Sequence, residues 1–209
     1  MLNTETIIHP KLHHIGLLTG NLQPMLDWYT AVLGMRIIHE SDNPTGAPTG
    51  KRPPIRAAFL SNDDASHRIA MFEVSGLAAD PDHARHRRLQ HIAFEFKTLD
   101  ELLGTYLRLK ALGIVPVFPV DEGAQIAFYY GDPDGNIVEI NVCNFADRRA
   151  AIEHIQTSPD FARNPLGVQI DPDRMVAAHE VGATAWELHT RAWKGEFAPE
   201  KPYNPMALM

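Results

Sequence analysis

The stretches HHIGLLTGNLQPMLDWYTAVLGM, residues 13–35, and QHIAFEFKTLDELLGTYLRLKALGI, residues 90–114, decide the fold because they are two copies of one pattern. Laid over one another, they match His14 with His91, Ile15 with Ile92, Gly16 with Ala93, Leu22 with Leu99 and Tyr29 with Tyr106. The pair Leu33-Gly34 meets Leu112-Gly113 after a two-residue slip. Each copy opens on a His at the head of a short apolar strand, turns through polar residues, and enters an amphipathic helix that stops at glycine. Three further strand-like segments follow each helix, at 35–39, 57–61 and 68–74 in the first copy and at 115–117, 125–130 and 136–142 in the second. The expected fold is therefore α+β, with two paired βαβββ modules at about residues 11–75 and 88–145. Units this small bury little core alone, which is why they should pair.

Two histidines at equivalent positions of a repeat, with Glu139 in the later strand segment GNIVEINV, make a distinctive donor set. Two imidazoles and one carboxylate on one side of a metal form the facial triad of non-haem Fe(II) sites, which leaves positions open for other ligands. A lone His in an apolar strand is ordinarily structural, but the repeat makes His14 and His91 a pair. His13 is the neighbouring candidate, and strand alternation would point it to the opposite face. A Glu inside Ile-Val-Glu-Ile is costly to bury unless it is paired or metal-bound. It follows a turn built by Asp132, Pro133, Asp134 and Gly135.

These residues carry a resemblance to the vicinal oxygen chelate superfamily over roughly residues 11–145. The stretch FYYGDPDGNIVE, residues 128–139, is similar to the later part of the signature of extradiol ring-cleavage dioxygenases, and AAFLSNDDASHRIAMFEV, residues 57–74, resembles a second segment of those enzymes. The resemblance implies an incomplete barrel around a metal, with Fe(II), or Mn(II), held by His14, His91 and Glu139. It also implies that His67 handles protons, that Tyr129 orients the substrate, and that a catechol-type diol is cleaved with O2. Phe59, Met71 and Phe128 are expected to supply apolar walls. One departure is that the signature's leading His, six to eight residues before Phe128, is replaced by Val120, Asp121 and Glu122. Another is Glu73, placed roughly where glyoxalase-like relatives carry an additional metal carboxylate. With Glu73 bound, the chemistry would be that of a metal-dependent isomerase or epimerase. A non-catalytic binding protein of the same fold is the third alternative.

Composition sets further bounds. The chain has 209 residues, a single cysteine, Cys143, and a net charge of −7. The charge argues against a general nucleic-acid surface, and the lone cysteine fits a reducing cytoplasm. No segment is long enough to cross a bilayer, and residues 1–11 lack the regions of a signal peptide. The basic run HARHRRLQH, residues 83–91, reads as a connector, and the Pro- and Gly-rich stretch 42–56 reads as a long loop, either a lid or an idle segment. The main domain is expected to span 1–145, and residues 146–209 to form a partly helical extension. In that extension a short helix is expected at 147–156 and a longer one at 173–194, capped by Asp173 and stopped by Gly195. Trp186 and Trp193 would share one face of the longer helix. The extension could pack on the body or support a homo-oligomer.

Overall fold

The structure, a computed structural model, describes residue 7 and residues 9–41 and 55–209. All of the stretch expected to form the long loop, save Ile55 and Arg56, lies outside these residues. The chain divides into two compact units, residues 1–79 and 80–209.

In the first unit, β1 (Ile15–Thr19) leads into α1 (Leu22–Leu33), followed by β2 (Arg36–Glu40), β3 (Arg56–Ser61) and β4 (Ile69–Glu73). The sheet order is β1-β4-β3-β2, with β1 parallel to β4 and the other pairs antiparallel. Leu22, Met25, Leu26, Tyr29 and Val32 repeat at helical spacing and give α1 its buried stripe. The helix ends where Gly34 takes a left-handed φ of 62° and its amide returns to the Thr30 carbonyl.

The second unit repeats the plan with β5 (His91–Phe96), α2 (Leu99–Ala111), β6 (Phe118–Asp121), β7 (Gln125–Gly131) and β8 (Ile137–Cys143). Its sheet runs β5-β8-β7-β6-β9, where β9 (Val168–Gln169) is added by the extension. The parallel pair β5/β8 mirrors β1/β4, so the repeat seen in sequence is a repeat of topology. Neither sheet closes into a barrel of its own. Thr98 and Glu101 form a reciprocal capping box at the start of α2. Strand β6 falls at Phe118–Asp121 rather than 115–117, because Val117 makes only a single bridge to the Tyr129 carbonyl before the ladder begins.

The extension contains α3 (Arg148–Thr157), α4 (Pro159–Arg163), α5 (Pro172–Glu180) and α6 (Ala185–Trp193). The single helix expected over 173–194 is thus two. Gly182 adopts a φ of 102° between them, Thr184 starts a new capping box with Glu187, and the cap of α5 is Asp171 rather than Asp173. Asp173 instead accepts from Tyr106 Oη at 2.9 Å and Lys110 Nζ at 2.6 Å, tying α5 to α2. The end of the chain closes with a 3-10 turn at Pro205–Leu208. Gly167 must be glycine: its φ is 73°, and a Cβ there would lie 2.1 Å from the Asp121 carbonyl oxygen.

Candidate active site

Strand registers sort the expected residues by face. In the second unit Tyr129 pairs with Glu139, and Glu139 with Ala93, two residues along from His91; all therefore share one face of the sheet. Phe128 pairs with Ile140 on the other face, where its ring meets Tyr106 of α2 edge-on at 5.7 Å. Phe128 is therefore helix-side core, not a wall on the face that carries Glu139. In the first unit Met71 is in register with Leu17 and Ala58, and Glu73 with Thr19 and Arg56. Glu73 reaches the start of α1, where its Oε1 accepts from the Leu22 amide at 3.1 Å, so the alternating set Ile69, Met71 and Glu73 looks toward that helix. Met71, fully buried, is helix-side core like Phe128. Phe59, paired with Ala70, belongs to the opposite face, where its ring stacks edge-on against His67 at 5.1 Å.

Glu139 is 2% exposed, and each of its oxygens is engaged. Oε1 accepts from Gln125 Nε2 at 2.8 Å and Asn141 Nδ2 at 2.6 Å, while Oε2 faces His91 Nε2 at 3.0 Å. The tautomer of His91 follows from its other neighbour. Gln90 Nε2 donates to the Leu208 carbonyl at 2.8 Å, which turns Gln90 Oε1 toward His91 Nδ1. An amide oxygen only accepts, so Nδ1 carries the proton. In the neutral ring, Nε2 then presents a lone pair to Glu139 Oε2. Two lone pairs at that distance require a proton between them or a cation, and a cation suits a part-exposed imidazole facing a buried carboxylate with its outer partners in place. The residues present thus fit a divalent metal.

Tyr129 Oη donates to Glu122 Oε1 at 2.8 Å, and Gln125 Nε2 also donates to Glu122 Oε2 at 3.0 Å. Burial, then the nearby charges of Glu139 and Glu122, push the Tyr129 hydroxyl far above its usual range, so it remains a donor. Burial also raises Glu122, with the charge of Glu139 adding to it. Glu122, Gln125, Asn141 and Gln90 were missed in the sequence. Glu122 had a signal, since it stands six residues before Phe128, where the signature's His is absent. Asn141 also had one, two residues beyond Glu139 on the same strand face. The extension contributes to this face through Tyr203 and Leu208, which pack on the cluster of Phe118, Val120, Ala127, Tyr129 and Ile137. The tryptophans lie elsewhere: Trp186 stacks on Phe145 and His189, and Trp193 Nε1 donates to Asp121 at 3.0 Å.

In the first unit His14 stands one residue before β1, so strand alternation does not govern it or His13. Their imidazoles turn together, with Nδ1 atoms 2.9 Å apart, and the His67 ring lies 4.4 Å from that of His14. Burial, and then the neighbouring His14 and His13, hold His67 below the ordinary imidazole value. Glu73 is not free: besides the α1 amide, it pairs with Arg56 Nη1 at 3.1 Å.

Residues 11–140 match the model of the Glyoxalase/Bleomycin resistance protein/Dioxygenase superfamily. The chain belongs to this superfamily. It is 32% identical over 197 residues to biphenyl-2,3-diol 1,2-dioxygenase 2 of Rhodococcus globerulus, covering 94% of this chain and 95% of that protein. Biphenyl-2,3-diol 1,2-dioxygenase 3 of the same organism is 33% identical over 186 residues, covering 89% and 90% respectively. Among solved structures, a glyoxylase/bleomycin resistance protein/dioxygenase domain from Frankia sp. EAN1pec superposes with a TM-score of 0.50 at 18% identity, over 65% of this chain and 99% of that one. That likeness supports the superfamily fold alone. With 94% of this chain covered, the match runs beyond the modules into residues 146–209. Among the described residues no helix is long and apolar enough to cross a membrane.

Proposed function

We propose that this superfamily member is an extradiol dioxygenase that opens a catechol-type ring with O2, and that a 2,3-dihydroxybiphenyl or a similarly substituted catechol is its substrate. The observation that carries the reading is the buried Glu139 carboxylate facing the part-exposed His91 imidazole, on a chain about one-third identical to two biphenyl-2,3-diol dioxygenases. His14, His91 and Glu139 are the proposed holders of Fe(II), with Mn(II) admissible for the same donors. When bound, the metal supplies the redox activation of O2 and of a chelating diol.

The remaining work falls to the protein. Gln90 holds His91 as the Nδ1–H tautomer, and Gln125 and Asn141 fix the Glu139 carboxylate. Tyr129 keeps its proton, and with substrate bound its single O–H turns from Glu122 to donate to a substrate oxygen. His67, largely neutral at pH 7, accepts a proton from the diol and returns it as the ring opens. In the overall reaction the carbon–carbon bond beside the diol breaks and both atoms of O2 enter the product. Phe59 is the proposed apolar contact of the ring.

The engagement of Glu73 by the α1 amide and Arg56 weighs against the isomerase alternative, which needs Glu73 as a ligand. The test is anaerobic loading with Fe(II), followed by oxygen-electrode recording with 2,3-dihydroxybiphenyl and a panel of catechols. Stoichiometric uptake with a yellow ring-opened product, lost in His91→Ala, is the expected result. No uptake with any diol by a protein of confirmed metal content refutes the proposal for these substrates.

A further inference from the structure

The proposed triad uses His14 and the proton chemistry uses His67, but neither uses His13. Yet all three imidazoles converge. One ring nitrogen from each lies within 4.8 Å of the other two, and the ring of His13 is 5.3 Å from that of His67. The cluster is braced from behind. Arg68 Nη1 donates to the His13 carbonyl at 3.0 Å, and the same guanidinium forks onto Asp63 through Nε at 2.9 Å and Nη2 at 2.7 Å. The Ile15 amide returns to the Arg68 carbonyl at 3.0 Å. Ser66 Oγ lies 3.2 Å from His67 Nδ1, giving that nitrogen a partner.

We propose that His13, His14 and His67 form an imidazole-only site for a borderline-soft divalent cation such as zinc or copper. The donor set selects the class, since magnesium and calcium seek oxygen whereas imidazole suits zinc, copper, nickel and iron, and a site without carboxylate favours the first three. Zinc–nitrogen bonds of about 2.0–2.1 Å set tetrahedral nitrogen–nitrogen separations near 3.3 Å, which small rotations of these side chains reach from the present spacing. The ligand sets overlap at His14. A cation here therefore takes His14 from the triad and His67 from proton handling, and so inhibits ring cleavage. Binding stands independently, whereas the inhibitory role rests on the dioxygenase reading.

The test uses the full-length, metal-free protein. Zinc affinity is measured by competition with a chromophoric chelator for the wild type, His13→Ala and His91→Ala. Removal of His13 should weaken zinc by more than about a hundredfold, the upper end of what losing even an outer-shell partner costs. His91→Ala should retain it. Equal affinity in His13→Ala, or loss in His91→Ala, overturns the site. Electron paramagnetic resonance of one equivalent of Cu(II) on the wild type is a readout independent of any variant. Nitrogen splitting from three imidazoles is expected, and a spectrum with mixed nitrogen and carboxylate oxygen ligands overturns the proposal. With the Fe(II)-loaded enzyme and 2,3-dihydroxybiphenyl, added zinc should suppress oxygen uptake in the wild type and spare His13→Ala; zinc that binds without suppressing uptake overturns the inhibitory role. If no diol is cleaved while zinc binding still depends on His13, the dioxygenase reading fails and the cation site stands.

Discussion

Replacing Phe128 with alanine separates core from substrate wall. The ring is fully buried on the α2 side of the second sheet, against Tyr106, and lies on the opposite face from Tyr129 and Glu139. Truncation removes the aromatic contact and leaves a cavity between β7 and α2, a change that costs about 3–5 kcal/mol. For a chain of this size each kcal/mol moves Tm by about 2–4 °C, so a fall of roughly 6–20 °C is expected. Phe59→Ala is the comparison. Its ring is only partly buried, so about 1 kcal/mol is expected, roughly half the value for full burial of such a side chain. Thermal unfolding followed by circular dichroism gives the two Tm values. Oxygen uptake at a temperature where both variants remain folded gives KM. Phe128→Ala should lose much stability and keep its KM, while Phe59→Ala should lose only a few degrees in Tm and raise KM. A Phe128→Ala protein with unchanged Tm and a raised KM would refute the assignment of faces.

Three other perturbations probe separate links. Glu73→Gln weakens the hold on the α1 start and Arg56, costing about 1 kcal/mol as helix-cap losses do, with metal content unchanged by atomic absorption; a drop in bound metal would make Glu73 a ligand. Asp121→Ala strips the buried partner of His189 Nδ1 (2.9 Å), Trp193 Nε1 (3.0 Å) and the Gly123 amide (2.9 Å), and should cost about 3–5 kcal/mol; hydrogen exchange should show Ala185–Trp193 opening first, and unchanged protection there would dismiss the anchor. Asp63 is lowered to about 2, first by its bond to Arg68, so the stabilisation it gives is present above its unfolded value of 3.8 and is lost as pH falls through about 2. Carboxyl NMR titration should place its midpoint there, and a midpoint near 3.8 would mean that Arg68 does not clamp it.

The fold was legible because the His-Ile openings and Gly endings repeat, and tertiary packing preserved both helices. Glu139 and Tyr129 were legible because a turn signature fixes their spacing and antiparallel pairing makes them neighbours. Face assignment was not legible for Met71 and Phe128. They sit in the runs IAMFE and IAFYY, which are almost wholly apolar, so the alternation that marks an inner face is missing. The opposite facing expected of His13 and His14 fails because alternation was applied before the strand begins at Ile15. The break at Gly182 was hidden because Met175, Ala178, Leu188 and Ala192 keep a buried apolar stripe on either side of it, while Val181 between them is 86% exposed.

The bond from Gln90 to the Leu208 carbonyl spans 118 residues of sequence and ends on the side chain that fixes the His91 proton. The last turn of the chain therefore acts on the His91 imidazole through the Gln90 side chain. A purification tag, a proteolytic nick or a crystal neighbour that pulls on Pro205–Leu208 would free Gln90 to rotate and His91 to change tautomer, with every residue of the proposed triad intact. On the proposed reading, two preparations that differ only behind that turn would load metal differently.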